Sequence, residues 1–201
     1  RDSAFLHDSL VTTLALPEGV KTIGSMACFD CPNLYAVSLP STLQSIAHDA
    51  FASCPNLRSI VLPPSLKRID RCAFVGSYSL RNIVIPEGIT SLPVDCFVSS
   101  GLCSITLPTT LRALERGVFY DCRSLRSIPL PANLQTIGDY CFHHCDSLSE
   151  VRCLNPAPPV ITNIFGNQQG RHCILYVPAE SVDSYRQAQY WSDFAEIKAV
   201  E

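Results

Sequence analysis

The chain has 201 residues, 47% apolar and 16% charged, with 15 Lys plus Arg against 18 Asp plus Glu for a formal net charge of -3. That content describes one folded domain rather than a disordered segment, and the negative balance argues against a basic partner-seeking surface and against a nucleic-acid partner. No apolar run approaches the roughly 20 residues of a membrane span, and the stretch from Arg1 to Leu10 lacks the apolar core of a secretory signal, so any export signal is expected outside this chain.

In chain order, the first feature is a repeat. Leu-Pro or Ile-Pro recurs at Leu16-Pro17, Leu39-Pro40, Leu62-Pro63, Ile85-Pro86, Leu107-Pro108 and Leu130-Pro131, at intervals of 23, 23, 23, 22 and 23 residues. Such regularity marks an array of like units. Each unit reads Leu-x-x-Ile/Val-x-Leu-Pro, as at Leu57 to Pro63, then a turn, then apolar positions such as Leu66 and Ile69, then an Ala-Phe step and a Cys, as at Ala50-Phe51 and Cys54. The short interval arises between Phe97 and Leu102, where one loop has lost a residue.

Aliphatic residues at the first, fourth and sixth positions suit a short strand whose inward side chains stack on the next coil. The column Leu14, Val37, Ile60, Ile83, Ile105, Ile128 and Val151 predicts parallel rungs at roughly 4.8 Å each, with the proline ending each strand. Phe51, Phe74, Phe97, Phe119 and Phe142 predict an aromatic spine, with Cys28 in that place in the first complete unit. Small residues before them leave room for tight helical turns on an outer wall. One unit buries about six apolar side chains worth roughly 1.5–3 kcal/mol each, against about 1–2 kcal/mol per residue for ordering its backbone, so a lone unit does not fold and neighbours share stability.

Both ends are informative. Ala4-Phe5, Val11, Leu14 and Leu16-Pro17 fit the second half of a unit, so the chain opens in mid-repeat and further coils or a cap are expected upstream. After Val151 the pattern fades at Asn155-Pro156-Ala157-Pro158-Pro159. The division expected is a solenoid over 1–153 and a capping segment over 154–201, with a strand at 173–177, a helix at 179–194 and a last strand at 196–200; Trp191 and Phe194 should cover the final coil.

On these residues the chain resembles the BspA-like leucine-rich repeat family. Ile46, Ala50-Phe51, Cys54, Leu57, Ile60 and Leu62-Pro63 have counterparts in the same order from about residue 4 to 153, and Leu175-Tyr176-Val177-Pro178, Tyr185, Trp191 and Phe194 resemble the family's terminal segment. Cys28 at the Phe position and Ser77 and Ser100 at the Cys position depart from the pattern. The resemblance implies a right-handed solenoid, mainly parallel β with a small α+β cap. It also implies secretion or surface display, often by anaerobic bacteria, in roles linked to adhesion or host-protein binding, and it carries over neither catalytic residues nor a cofactor.

Eleven cysteines would ordinarily raise a disulfide framework. Cys31, Cys54, Cys122 and Cys145 instead share one column with Ser77 and Ser100, as small buried side chains do, and parallel side chains on neighbouring rungs stand near roughly 4.8 Å apart, wide for a bridge. Cys153 with Cys173, outside the regular ladder, is the better placed pair. Cys141-Phe142-His143-His144-Cys145 has zinc ligand types, yet both cysteines fall on core columns. Serines lie in no Gly-x-Ser-x-Gly elbow, and His7, His48 and His172 form no catalytic motif with sequence neighbours such as Asp8 and Asp49.

The open sheet face is where a solenoid usually binds. Its outward positions are mostly small, among them Ser59, Val61, Asn82 and Val84, and beside them stand Tyr35, Arg58, Arg81 and Arg126. Guanidinium forks on one edge suit carboxylate or phosphate groups; the plainer reading is a charged sheet edge that discourages aggregation. The function expected is a non-enzymatic extracellular module binding a protein or glycan through Tyr35, Arg58, Arg81 and Arg126, the alternative being a spacer that displays another domain.

Overall fold

The computed structural model describes residues 1–166 and 172–200. Each coil contributes two short strands and one outer turn segment. The first ladder contains β1 (Thr13–Ala15), β3 (Ala36–Ser38), β5 (Ser59–Ile60), β7 (Asn82–Val84), β9 (Ser104–Thr106), β11 (Ser127–Leu130), β13 (Glu150–Cys153), β15 (Ile174–Val177) and β16 (Glu196–Ala199). The second contains β2 (Thr22–Ile23), β4 (Ser45–Ile46), β6 (Arg68–Ile69), β8 (Ser91–Leu92), β10 (Ala113–Leu114), β12 (Thr136–Ile137) and β14 (Val160–Ile161). All pairing is parallel and in the register that the repeat predicts, with Leu14 opposite Val37 and Val37 opposite Ile60. In a strand such as β7 the central Ile83 is buried between exposed Asn82 and Val84, the period of two that a half-buried strand requires.

On the outer wall, Phe51, Phe74, Phe97, Phe119 and Phe142 stack with centroids 5.7, 5.4, 5.9 and 5.9 Å apart and planes within 10°. Backbone bonds stitch successive turns: Asp49, Phe51 and Ser53 N–H donate to Arg71, Ala73 and Val75 carbonyls. Two residues per turn are left-handed, for example Asp49 (φ 56°) and Ser53 (φ 57°), a conformation costing about 1–2 kcal/mol for an ordinary side chain, which the inter-coil bonds offset. Cys28 interrupts the phenylalanine column, and an apolar cavity of about 130 Å³ opens beside it between Phe5 and Phe51.

All eleven cysteines are free. In the shared column, Sγ of Cys31, Cys54, Cys122 and Cys145 donates to the carbonyls of Phe5, Cys28, Phe97 and Phe119 at 2.9–3.1 Å, and Ser77 Oγ aims likewise at Phe51 at 3.5 Å. Any short donor serves there, which is why Cys and Ser alternate. Cys153, placed by sequence beside Cys173, instead receives the Tyr185 hydroxyl at 3.2 Å.

The repeat outlasts the proline cluster. β14 pairs with β12, β15 with β13 and β16 with β15, and Phe165, 23 residues after Phe142, meets that ring at 6.0 Å. The helix expected over 179–194 is shorter: a 3-10 turn at Ala179–Ser181, α1 at Val182–Gln187 and a second 3-10 turn at Trp191–Asp193. The chain turns at left-handed Tyr190 (φ 65°), which lets Trp191 go inward, stack on Phe194 and donate Nε1–H to the Pro159 carbonyl at 2.8 Å. Burial of that ring overrides helix continuation.

The seven-rung sheet expected from the aliphatic column is interrupted. No strand pairing joins β5 to β7, β6 to β8, or β9 to β11. At β6–β8 the cause is a missing donor. Ala47, Asp70, Glu115 and Gly138 N–H donate to the carbonyls of Ile23, Ile46, Leu92 and Leu114; the equivalent residue facing Ile69 is Pro93, which has no N–H. The shortened unit lies on the other side of β9, where β7 and β9 do pair: there the chain passes so close to the preceding coil that a Cβ on Gly101 would meet the Tyr78 carbonyl, and Gly101 N–H donates to the Ser77 carbonyl at 3.1 Å. Backbone therefore occupies the space where any side chain would go.

Three outcomes follow from this packing. Gly101→Ala should lower stability by about 2 kcal/mol or more, read as a shifted denaturation midpoint at unchanged slope; an unchanged midpoint would contradict the close approach. Amide hydrogen exchange should be faster at Arg81, Thr90 and Ser91, which lack inter-coil acceptors, than at Arg58, Lys67 and Arg112, which donate to Tyr35, Gln44 and Thr90; equal protection would mean that the seam is closed in solution. Burial pushes the thiols of Cys28, Cys54 and Cys122 up to about 12, so a thiol reagent at pH 8 should find at most two fast groups in native protein, the partly exposed Cys72 and Cys103, and all eleven after unfolding.

Candidate binding surface

Tyr35, Arg58, Arg81 and Arg126 each immediately precede a strand of the first ladder, namely β3, β5, β7 and β11, so the repeat sets all four along one edge. Arg58 N–H donates to the Tyr35 carbonyl at 3.0 Å, joining the first two. All four side chains are exposed. Their availability differs. The Arg81 guanidinium reaches along the array to the Gly101 carbonyl at 3.2 Å and Ser124 Oγ at 3.5 Å, bracing the shortened unit, whereas the side chains of Tyr35, Arg58 and Arg126 carry no ion pair or hydrogen bond among the described residues. Arg81 is thus held by the fold, and the free edge consists of the other three.

A groove of about 480 Å³ lies where β5 and β7 fail to pair, lined by Arg58 to Leu62 and Asn82 to Val84. Val61 and Val84 are 77% and 62% exposed in it. The sequence signal for them is present in the repeat itself, as two β-branched apolar residues at outward positions where neighbouring coils carry Ser38 and Thr106. An apolar floor beside an unpaired guanidinium can take an aliphatic side chain and a carboxylate from one partner segment.

A second groove of about 420 Å³ lies on the other ladder at the same boundary, lined by Lys67 to Arg71, Thr90, Ser91, Pro93, Val94 and Glu115. This flank corrects the expectation drawn from net charge. Its coil segments, 21–25, 44–48, 67–71, 90–94, 112–116 and 135–139, hold six Lys or Arg and three acids, a local excess that a chain-wide sum conceals. Arg68 is paired with Asp70, and Arg116 with Asp95 at 3.5 Å; Lys21, Lys67 and Arg71 are exposed with no such partner among the described residues.

The remaining chemistry-bearing residues do not converge. His7 Nδ1 meets Asp30 Oδ2 at 2.8 Å, a partner 23 residues away that local sequence does not reveal, and the pair is exposed. Cys141 and Cys145 are buried, while His143 Nδ1 contacts the Phe165 carbonyl at 3.0 Å and the two imidazole centroids are 4.1 Å apart. Among the described residues no three His, Cys, Asp or Glu gather as a metal site, and no helix is long and apolar enough to cross a membrane.

Comparison with known proteins follows the geometry. The model of the BspA type leucine rich repeat region matches in six copies over residues 1–102 and 44–172. A solved leucine-rich repeat protein of T. pallidum is 31% identical with a TM-score of 0.67, covering 71% of this chain and 72% of that one. A leucine-rich repeat protein from Bacteroides ovatus is 23% identical with a TM-score of 0.68 and shares the fold over 100% of this chain, which spans 63% of that protein's length. Among curated proteins no match is found. The family pattern runs through most of the chain, and the protein belongs to the BspA-type leucine-rich repeat family.

Proposed function

We propose that this chain is a non-enzymatic binding module of an extracellular or cell-surface protein, and that it engages a protein ligand in adhesion through the first ladder. The observation that carries the reading is the groove between β5 and β7, where exposed Val61 and Val84 stand beside unpaired Arg58. Val61 and Val84 line one groove from adjacent coils, so their apolar surfaces adjoin as those of interaction sites do, and Tyr35 and Arg126 extend the same edge. An oxidising location is compatible with eleven thiols when most of them are buried and protonated. Residues 154–201 act in this reading as the cap that closes the array.

The test is binding of the chain to an array of extracellular proteins, run beside Val61→Asp and Arg58→Glu/Arg126→Glu variants whose circular dichroism matches wild type. A ligand whose affinity falls at least tenfold in both variants supports the module. A ligand unaffected by either would place recognition elsewhere, and absence of any ligand would favour the spacer that displays another domain.

A further inference from the structure

We infer that the second ladder is a separate docking face for an acidic polysaccharide, centred on the seam between β6 and β8. Charge selects the class of partner. Within a chain of net charge -3, the six segments of this flank carry six basic and three acidic residues, with Asp95 just beyond them paired to Arg116. Lys21, Lys67 and Arg112 occupy one repeat position in alternate coils, with Gln44 and Thr90 between them; Lys21 and Lys67 stand two rungs, roughly 10 Å, apart at ordinary strand spacing, while Arg112 lies across the open seam and donates to the Asn133 carbonyl at 3.2 Å. The Lys21–Lys67 spacing is close to the length of a disaccharide, so it suits a polymer whose sulfate or carboxylate groups recur with each disaccharide.

Backbone chemistry at the seam points the same way. In other coils the carbonyls of Lys21, Gln44, Thr90 and Arg112 each accept two N–H groups from the next coil, and those of Ile23, Ile46, Leu92 and Leu114 accept one. Opposite the seam, the Lys67 and Ile69 carbonyls receive none of these bonds. The groove there presents two free acceptors on one lip and the Thr90 and Ser91 amides on the other, with the Lys67 ammonium and Arg71 guanidinium beside them; the Asp70 and Glu115 carboxylates also line it, the first held by Arg68 and the second accepting from Ser91 Oγ. A charged sugar matches this set, since its hydroxyls donate to carbonyls and its anionic group accepts from the cations.

Around the seam the face lacks what a peptide anchor would need. The six coil segments expose no large hydrophobic residue, and the outward strand positions carry Thr22, Ser45, Arg68, Ser91, Ala113 and Thr136; Val160, 69% exposed on β14, stands at the far end of the same ladder.

Heparin and hyaluronan fragments are the probes, titrated calorimetrically into the whole chain at low salt and at 0.15 M, where screening weakens surface charge contacts without abolishing them. Heparin should bind, Lys67→Glu/Arg71→Glu should weaken it at least tenfold, and Arg58→Glu/Arg126→Glu should change it less than twofold. Binding by hyaluronan as well assigns the contact to charge spacing, and by heparin alone to sulfate; either supports the proposal. In wild-type protein, bound heparin should shield Lys21 and Lys67 from acylation while Lys198, the third lysine of the chain, reacts at its free rate. No heparin binding at low salt, equal loss in both double variants, protection that includes Lys198, or equally tight binding of polyglutamate would each overturn it.

Discussion

Everything in this molecule depends on the distance from one coil to the next, because three kinds of contact must share it. Parallel strands hold backbones at roughly 4.8 Å. Outer-wall phenylalanines set their centroids 5.4–5.9 Å apart. Between them the turn amides of one coil reach the turn carbonyls of the next. The ring centroids thus stand slightly farther apart than paired strands do. The closest pair is Phe74 and Phe97, whose 5.4 Å is the shortest of the four spacings. Both ladders stop pairing at that same boundary. Shortening outside coincides with opening inside at this boundary, and on the second ladder Pro93 removes one of the bonds that would hold it closed.

How much of this is legible in the sequence depends on whether a feature repeats. Columns such as Ile60, Ile83 and Ile105 or Phe74 and Phe97 are legible because each coil solves the same packing problem with the same residue type. The interrupted ladders are legible only by subtraction, since Pro93 matters through an N–H it lacks in a column where four other residues donate. Phe165 keeps the repeat spacing from Phe142 and Ile161 misses it by one residue, pairing with Ile137 at a separation of 24, and the prolines at 156, 158 and 159 mask both. The basic flank is hidden for a different reason: charge summed over a chain says nothing of which face carries it. Arg81 shares its repeat position with Arg58, and only the shortened unit beyond it, with the Gly101 carbonyl in reach, separates their roles.

The thiols illustrate how a composition can mislead while a column does not. Eleven cysteines suggest bridges when counted. Set in register, four of them, Cys31, Cys54, Cys122 and Cys145, are short donors to carbonyls of the preceding coil, as where Phe119 takes both Cys122 N–H and Cys145 Sγ. Serine performs the same task at Ser77. Nothing in that geometry asks for oxidation, and the burial that raises the thiol pKa also shields the sulfur. Stability in this array is spread over neighbours rather than concentrated in crosslinks.

The two grooves then have a relation that neither has alone. Both lie at the boundary between the coil beginning at Arg58 and the coil beginning at Arg81, one on each ladder, and the outer wall across that boundary stays bonded through Cys72, Phe74 and Gly76. The wall therefore acts as the fixed line about which the two inner edges open. A ligand that supplies donors to the Lys67 and Ile69 carbonyls replaces the missing ladder and draws the coils together on its side. The same two coils frame the groove holding Val61 and Val84, so ligands on the two faces would contact a shared pair of coils, and any coupling between them would be equal in both directions.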